Sequence, residues 1–156
     1  MKALVTYFSA SGVTAGLAKR LAEALAAPCY EIRPAVPYTR EDLDWTNKQS
    51  RSTVEMQDKS CRPALKDTDA PVKDADVVFV GYPVWWYREP SIIDSFLAAY
   101  DFTGKKIVLF ATSGGSDIGR EAPARAAEIS KTTVLPGKRF PANASLEELK
   151  AWAEQF

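Results

Sequence analysis

Histidine does not occur anywhere in the 156 residues of this chain. A catalytic Ser-His-Asp or Cys-His arrangement is therefore excluded, and so is a metal site built on imidazole. Cysteine is scarce as well: Cys29 and Cys61 fit no C-x-x-C pattern. We expect two free thiols, with one disulfide as the alternative. Any demanding chemistry would have to come from a bound cofactor.

The chain also lacks net charge and long apolar runs. Lysine and arginine together number 20, as do aspartate and glutamate, so no overall field attracts nucleic acid or an anionic membrane. No apolar run approaches the roughly 20 residues that span a bilayer. The N-terminus shows no signal-peptide pattern. We therefore expect a cytoplasmic protein without nucleic-acid or membrane partners.

Apolar runs with the character of strands alternate with apolar stripes of helical spacing. The strand-like runs span residues 3–8, 28–33, 76–82, 106–112 and 132–135. The helical stripes span residues 17–25, 92–100, 118–129 and 146–156. Several strand-like runs are nearly continuous, which is typical of parallel strands covered on both faces. The alternation predicts one doubly wound α/β domain over residues 1–156.

Local signals refine three of the helices. Pro90 stands where a first-turn proline is tolerated, and Ser145 with Glu148 predicts a capping box. Pro123 interrupts the stripe over residues 118–129 and weakens it.

Residues 34–70 break this rhythm because they are mostly polar and join two strands over an unusual length. We call this segment the insert. Leu43, Val54 and Met56 supply its sparse apolar contacts, and we expect a helix over roughly residues 40–58.

The loop after the first strand-like run is rich in hydroxyls. It consists of Ser9, Ala10, Ser11, Gly12, Val13 and Thr14. Gly12 permits a tight turn, and the N–H groups that open the next helix can face an anion. The loop contains no lysine, so it is not a Walker A loop, and it lacks G-x-G-x-x-G. It indicates a site for a small anion such as phosphate; an ordinary capped turn is the alternative.

The loop after the third run is aromatic. It contains Pro83, Val84, Trp85, Trp86 and Tyr87. Three adjacent rings cannot all enter one core, and an exposed ring can stack on a planar ligand. The alternatives are that the rings anchor the loop or form a protein interface.

The loop after the fourth run is rich in glycine. It begins with Thr112, Ser113, Gly114 and Gly115. Glycine lets backbone approach a ligand closely, although a flexible surface turn has the same composition. In an open parallel sheet, ligands bind at the carboxyl ends of the strands. The three loops together therefore favour one ligand that carries both a phosphate and a flat ring.

These segments resemble the flavodoxin-like FMN proteins, in particular the bacterial ones with a Pro-x-Trp-Trp loop. The resembling segments are FSASGVT at 8–14, DLDWTNKQSRSTVE at 42–55, YPVWWY at 82–87 and ATSGGSDIG at 111–119. The resemblance covers essentially the whole chain. It implies a three-layer sandwich around a five-stranded parallel sheet in the order 2-1-3-4-5.

The resemblance also implies where the cofactor binds. The 9–14 loop would hold the FMN phosphate through Ser9, Ser11, Gly12, Val13 and Thr14. Residues 83–87 would flank one side of the isoalloxazine ring, and residues 113–115 would flank its other edge. Independently of the resemblance, the insert leaves the carboxyl end of the second strand, so Arg51, Ser52 or Asn47 is expected to border the ring; the alternative is that the insert is a solvated excursion unrelated to the site.

Shuttle flavodoxins are typically strongly acidic, whereas this chain is neutral. We therefore expect an FMN oxidoreductase that passes electrons from a reduced nicotinamide or a redox partner to a small acceptor such as a quinone. The alternatives are an electron-transfer shuttle that serves a redox protein partner, and a flavin-free module that binds a partner through the aromatic loop.

Overall fold

The computed structural model describes residues 2–113 and 117–156. Its strands are β1 (Ala3–Tyr7), β2 (Cys29–Glu31), β3 (Val77–Pro83), β4 (Lys106–Thr112) and β5 (Thr133–Phe140). Its helices are α1 (Val13–Leu25), α2 (Arg51–Gln57), α3 (Ser91–Ala99), α4 (Ala122–Ser130) and α5 (Leu146–Ala153). A short 3-10 helix covers Val72–Asp74.

The five strands form one parallel sheet in the order β2-β1-β3-β4-β5. This is the order implied by the resemblance, and the predicted fold class is confirmed. The winding reverses between β1 and β3, which pair in register with Val5 opposite Phe79. Because all strands run the same way, the loops that follow β1, β3 and β4 leave the same edge of the sheet.

Successive strand residues supply two separate cores, one on each face of the sheet. Leu4 and Val78 pack with α3 and α4, whereas Val5 and Phe79 pack with α1 and α5. Both faces of the sheet are covered by helices, which explains the nearly continuous apolar runs of the central strands. The described part of the chain contains no helix long and apolar enough to cross a membrane.

Two strand predictions have the wrong length. β2 was expected over residues 28–33 but keeps only three residues, at the edge of the sheet with Cys29 and Glu31 exposed. β5 was expected to end at residue 135 but continues to Phe140. Its pairing with β4 is irregular between Val108 and Phe110. At this point the absence of a side chain on Gly137 matters, because an added Cβ would lie 2.2 Å from the Leu109 carbonyl oxygen.

Helix boundaries also differ from the sequence prediction. In the insert the helix is confined to α2, and residues 40–50 form turns, because internal Asp and Asn side chains bond to the local backbone. Ile118 precedes α4 rather than lying in it, and Pro123 falls in the first turn, where it does not disrupt the helix. Pro90 is the residue before α3 rather than part of its first turn. Ser145 caps α5 as predicted, accepting a hydrogen bond from the Glu148 N–H at 3.1 Å.

Candidate functional site

The hydroxyl-rich loop opens α1 without a side-chain cap. Gly12 is the N-cap residue and has a φ of 94°, in the left-handed region. Its own N–H bonds to the Ser9 hydroxyl oxygen at 3.0 Å, which closes the loop. The first-turn N–H groups of α1 have no intrahelical carbonyl to bond, as at every helix start. Together with the exposed Ser11 and Val13, these groups form an uncapped helix start that faces solvent and suits an anion.

Thr14 and Thr112 connect the first loop to the fourth strand. The Thr14 hydroxyl is buried and lies 2.8 Å from the Thr112 hydroxyl. If Thr112 donates in this pair, Thr14 keeps its own proton for a further acceptor. Ser113 is half-buried, and its carbonyl accepts a hydrogen bond from Arg139 at 3.4 Å. Gly114 and Gly115 lie outside the described residues.

The aromatic loop is a tight turn with unusual residues at its centre. Trp85 and Arg88 exchange two backbone hydrogen bonds of 3.0 Å. Trp86 and Tyr87 between them have φ values of 47° and 63°. Two left-handed residues in a two-residue turn are usually Asn-Gly. Large side chains in this conformation are costly, and such strain is found mainly at functional sites.

The three adjacent rings have different surroundings. Trp85 is half-buried and packs edge-on against Phe8 and Tyr38, with ring centroids 5.6 Å apart in both cases. Trp86 and Tyr87 are 41% and 80% exposed. One ring therefore anchors the turn to the body of the protein, and the other two are presented to solvent.

A cleft of about 580 Å³ lies between the first loop, the aromatic turn and the insert. Its lining residues are Ala10, Ser11, Leu43, Trp45, Ser52, Pro83, Val84, Trp85, Trp86 and Tyr87. Its size is in the usual range for small-molecule sites. A cavity elsewhere, at the amino ends of the strands, is comparable in size but is bordered by none of the three loops.

The cleft brings together predicted residues from the hydroxyl-rich loop and the aromatic loop. Three residues of the insert form its remaining wall, and the sequence did not predict them as a group. Leu43 and Trp45 were missed as site residues, because they stand in a polar segment without periodicity. Ser52 lines the cleft, as the sequence hypothesis allowed. Arg51 does not line it: its guanidinium lies 4.0 Å from the centre of the Tyr38 ring and bonds Glu55 and the Val36 carbonyl. Asn47 is exposed and bonds the Gln49 N–H.

A buried ion network follows the aromatic turn, and no sequence pattern predicted it. Asp94 on α3 lies 3.2 Å from Arg88 and 2.7 Å from Arg125 of α4. Glu89 lies 3.3 Å from Arg125. One carboxylate oxygen of Glu89 and one of Asp94 have no hydrogen-bond partner among the described residues. Burial and the neighbouring Asp94 charge raise the pKa of Glu89 to about 7, against the opposing effect of the two arginines.

The network also holds the insert against the body of the protein. Arg88 donates to the Met56 carbonyl at 3.4 Å, and Arg125 donates to the Lys59 carbonyl at 3.0 Å. The Ser91 hydroxyl donates to the Glu55 carbonyl at 3.2 Å. The insert is therefore a packed part of the molecule and not a solvated excursion.

Comparison with known proteins places the chain in a family. The flavodoxin family model matches residues 2–156. The chain is similar to a protein from Bacteroides eggerthii described as a flavoprotein, with 42% identity, a TM-score of 0.91, and coverage of 99% of this chain and 96% of the other. A protein from Bacteroides uniformis with the same description gives 42% identity, a TM-score of 0.90, and coverage of 98% and 97%.

A more distant neighbour shares the fold. It is a flavoprotein from Lactobacillus acidophilus whose structure is a complex with FMN; it has 19% identity, a TM-score of 0.70, and coverage of 97% of this chain and 98% of the other. The comparison with curated proteins gives no match. The family model and the fold agree with the resemblance read from the loops, and the chain belongs to the flavodoxin family.

Proposed function

We propose that this chain is an FMN-dependent redox protein that passes electrons from a reduced nicotinamide or a redox partner to a small acceptor such as a quinone. The observation that carries the proposal is the strained Trp86–Tyr87 turn, which faces the same cleft as the hydroxyl-rich loop. Membership of the flavodoxin family and the FMN complex of the Lactobacillus acidophilus protein support FMN as the cofactor.

The first loop fits the phosphate end of FMN. The start of α1 offers first-turn N–H groups and the positive end of the helix dipole, which favour a dianion without any lysine. Ser9, Ser11 and Thr14 add hydroxyls. The N-cap Gly12 leaves the helix without a side-chain cap, so a bound phosphate can take that place.

The aromatic turn fits the ring end of FMN. Trp86 and Tyr87 are exposed although large aromatic side chains normally bury their surface. A planar ring system stacked on one of them would cover that surface and offset the strain of the turn. Trp85, held by Phe8 and Tyr38, fixes the position of the turn.

FMN supplies the chemistry when bound, since it carries one or two electrons. Reduction of a quinone to its hydroquinone needs two electrons and two protons. Among the residues that the structure describes, no charged side chain lines the cleft. The protons would therefore come from the reduced flavin, from water or from an exposed hydroxyl such as that of Tyr87, while the protein orients the two rings and limits access.

The phosphate site is tested by comparing FMN with riboflavin. We expect riboflavin to bind at least tenfold more weakly, because charge-assisted hydrogen bonds contribute about 1.5–3 kcal/mol each. The Ser11→Ala, Thr14→Val double variant should lose affinity for FMN by about 1–3 kcal/mol and lose little for riboflavin. Quenching of flavin fluorescence on titration measures both affinities.

A matched control is the Ser60→Ala, Thr103→Val variant, in which two exposed hydroxyls far from the cleft are removed. It should bind FMN like the parent protein. Equal affinity of the parent protein for FMN and riboflavin would contradict the proposed site.

A further inference from the structure

The insert supplies the wall of the cleft that neither the hydroxyl-rich loop nor the aromatic turn provides. This wall of the cleft consists of Leu43, Trp45 and Ser52. Trp45 is 73% exposed, which is unusual for a tryptophan, because burial of its large apolar surface stabilises a fold. Folding of the insert therefore does not account for the position of this ring.

The wall is held firmly in place. The Ser52 N–H donates to the Asp42 carbonyl at 3.0 Å, which joins α2 to the turns that carry Leu43 and Trp45. Arg51 bonds Glu55 at 3.1 Å and the Val36 carbonyl at 2.8 Å. The Tyr38 hydroxyl also donates to Glu55. Trp45 is thus carried by a segment with many fixed contacts, which pre-organises it for binding.

Ser52 has an unused hydroxyl beside the cleft. The residue is 1% exposed, and its hydroxyl oxygen has no hydrogen-bond partner among the described residues. The hydroxyls of the neighbouring Ser50 and Thr53 instead bond each other at 2.9 Å. A buried polar group without a partner is rare and calls for a specific reason. An acceptor atom on a ligand in the cleft would provide the missing bond.

The wall formed by the insert favours a ligand ring without charge. The ten lining residues within the described part of the chain are apolar, aromatic or hydroxyl-bearing, and none of these ten has a charged side chain. A neutral, planar molecule with a carbonyl oxygen matches the wall in shape, polarity and hydrogen bonding.

We propose that Trp45 and Ser52 form a substrate subsite in which a neutral planar aromatic carbonyl compound, of the quinone class, stacks on the Trp45 indole and accepts a hydrogen bond from the Ser52 hydroxyl. The inference rests on the proposed function, because it identifies the acceptor of the same cleft. It assigns the insert the task of substrate selection, separate from the loops assigned to the flavin.

The subsite is tested directly by measuring quinone binding under conditions in which no electrons are transferred. The FMN-loaded protein, kept oxidised, is titrated by calorimetry with 2,3-dimethyl-1,4-naphthoquinone and with a naphthoquinone that carries a carboxylate on the fused ring. The neutral compound should bind more tightly. Trp45→Leu should weaken its binding about fivefold to tenfold, as loss of an aromatic pair implies. Ser52→Ala should weaken it about fivefold, as loss of one hydrogen bond implies.

The control variant is Val54→Ala, on the same helix as Ser52, exposed and outside the cleft lining. It should bind the quinone like the parent protein, and all three variants should keep the parent affinity for FMN within about twofold. Unchanged quinone binding in Trp45→Leu and Ser52→Ala would overturn the subsite. An equal loss of FMN affinity in Trp45→Leu would also overturn it, because Trp45 would then belong to the flavin site.

The outcome is distinguishable from failure of the proposed function. That failure appears as equal binding of FMN and riboflavin, whereas the subsite is judged by the quinone titrations. If the protein does not take up FMN, the same titrations on the flavin-free protein decide whether Trp45 and Ser52 bind the quinone.

Discussion

At the residue scale, the cleft is marked by side chains in positions that cost stability. Trp86 and Tyr87 adopt left-handed backbone conformations that Asn and Gly accept more easily. Trp45 exposes most of its ring, and Ser52 buries an unpartnered hydroxyl. Each feature alone is a small irregularity, but all of them border the same cavity. Strain and unmet hydrogen bonds that gather at one place are expected where a ligand completes the structure.

Replacing the two strained residues of the aromatic turn should raise the stability of the protein and lower its affinity for FMN. We expect a Trp86→Asn, Tyr87→Gly double variant to have a free energy of unfolding about 1–2 kcal/mol higher than that of the flavin-free parent, because the turn loses its strain. Its affinity for FMN should fall by up to roughly tenfold, since a stacking contribution of about 0.5–1.5 kcal/mol is removed. Chemical denaturation and flavin titration measure the two quantities.

The Val36→Asn variant is a suitable comparison, because Val36 is also an exposed apolar residue but lies outside the cleft lining. This variant should change neither the free energy of unfolding nor the affinity for FMN. A double variant that is less stable than the parent and binds FMN equally well would show that the rings serve the fold.

At the element scale, the ion network joins the aromatic turn to α3, α4 and the insert. Arg88 follows the turn directly, Asp94 lies on α3 and Arg125 lies on α4. In the insert, Arg88 also bonds the Met56 carbonyl and Arg125 bonds the Lys59 carbonyl. The two walls of the cleft are therefore held by the same charges, and a change in the network is expected to affect both.

Glu89 should make stability depend on pH near neutrality. Its pKa rises from an ordinary value of 4.5 to about 7 in the folded protein, so the folded state binds a proton more tightly than the unfolded state. The resulting stability is fully present below pH 4.5 and is lost as the pH rises through about 7. We expect the free energy of unfolding to fall between pH 5 and pH 8, and to fall less in Glu89→Gln.

Urea denaturation at several pH values measures this difference. Glu121→Gln is the control, because Glu121 is exposed and a hydrogen bond from Lys59 lowers its pKa, which places its titration below this range. That variant should keep the pH dependence of the parent. The same decline in Glu89→Gln would mean that another group titrates.

At the scale of the whole molecule, the equal numbers of acidic and basic residues bear on the partner. Without net charge, long-range steering towards a charged redox protein is weak. We expect FMN-loaded protein with NADH or NADPH and a neutral quinone to turn over well above the rate of free FMN. The turnover rate is measured from the oxidation of the nicotinamide, which is followed by absorbance.

The control for this reaction is the Ser11→Ala, Thr14→Val protein at the same total FMN, which should give a rate close to that of free FMN. A bound flavin that is reduced only through another redox protein, with a rate that falls steeply as salt increases, would instead identify the chain as an electron-transfer shuttle.

Sequence patterns alone predict the order of strands and helices along the chain, the parallel sheet and the three candidate ligand-binding loops. These depend on local information: continuous apolar runs, helical spacing, and glycine or hydroxyl residues at strand ends. Contacts between distant residues decided the rest. The Arg125–Asp94 pair is 31 positions apart and the Arg88–Met56 contact 32, and no local pattern encodes such pairs. Only tertiary packing decides that Trp85 is the half-buried ring while Trp86 and Tyr87 are exposed, and only tertiary packing brings Trp45 and Ser52 to the cleft.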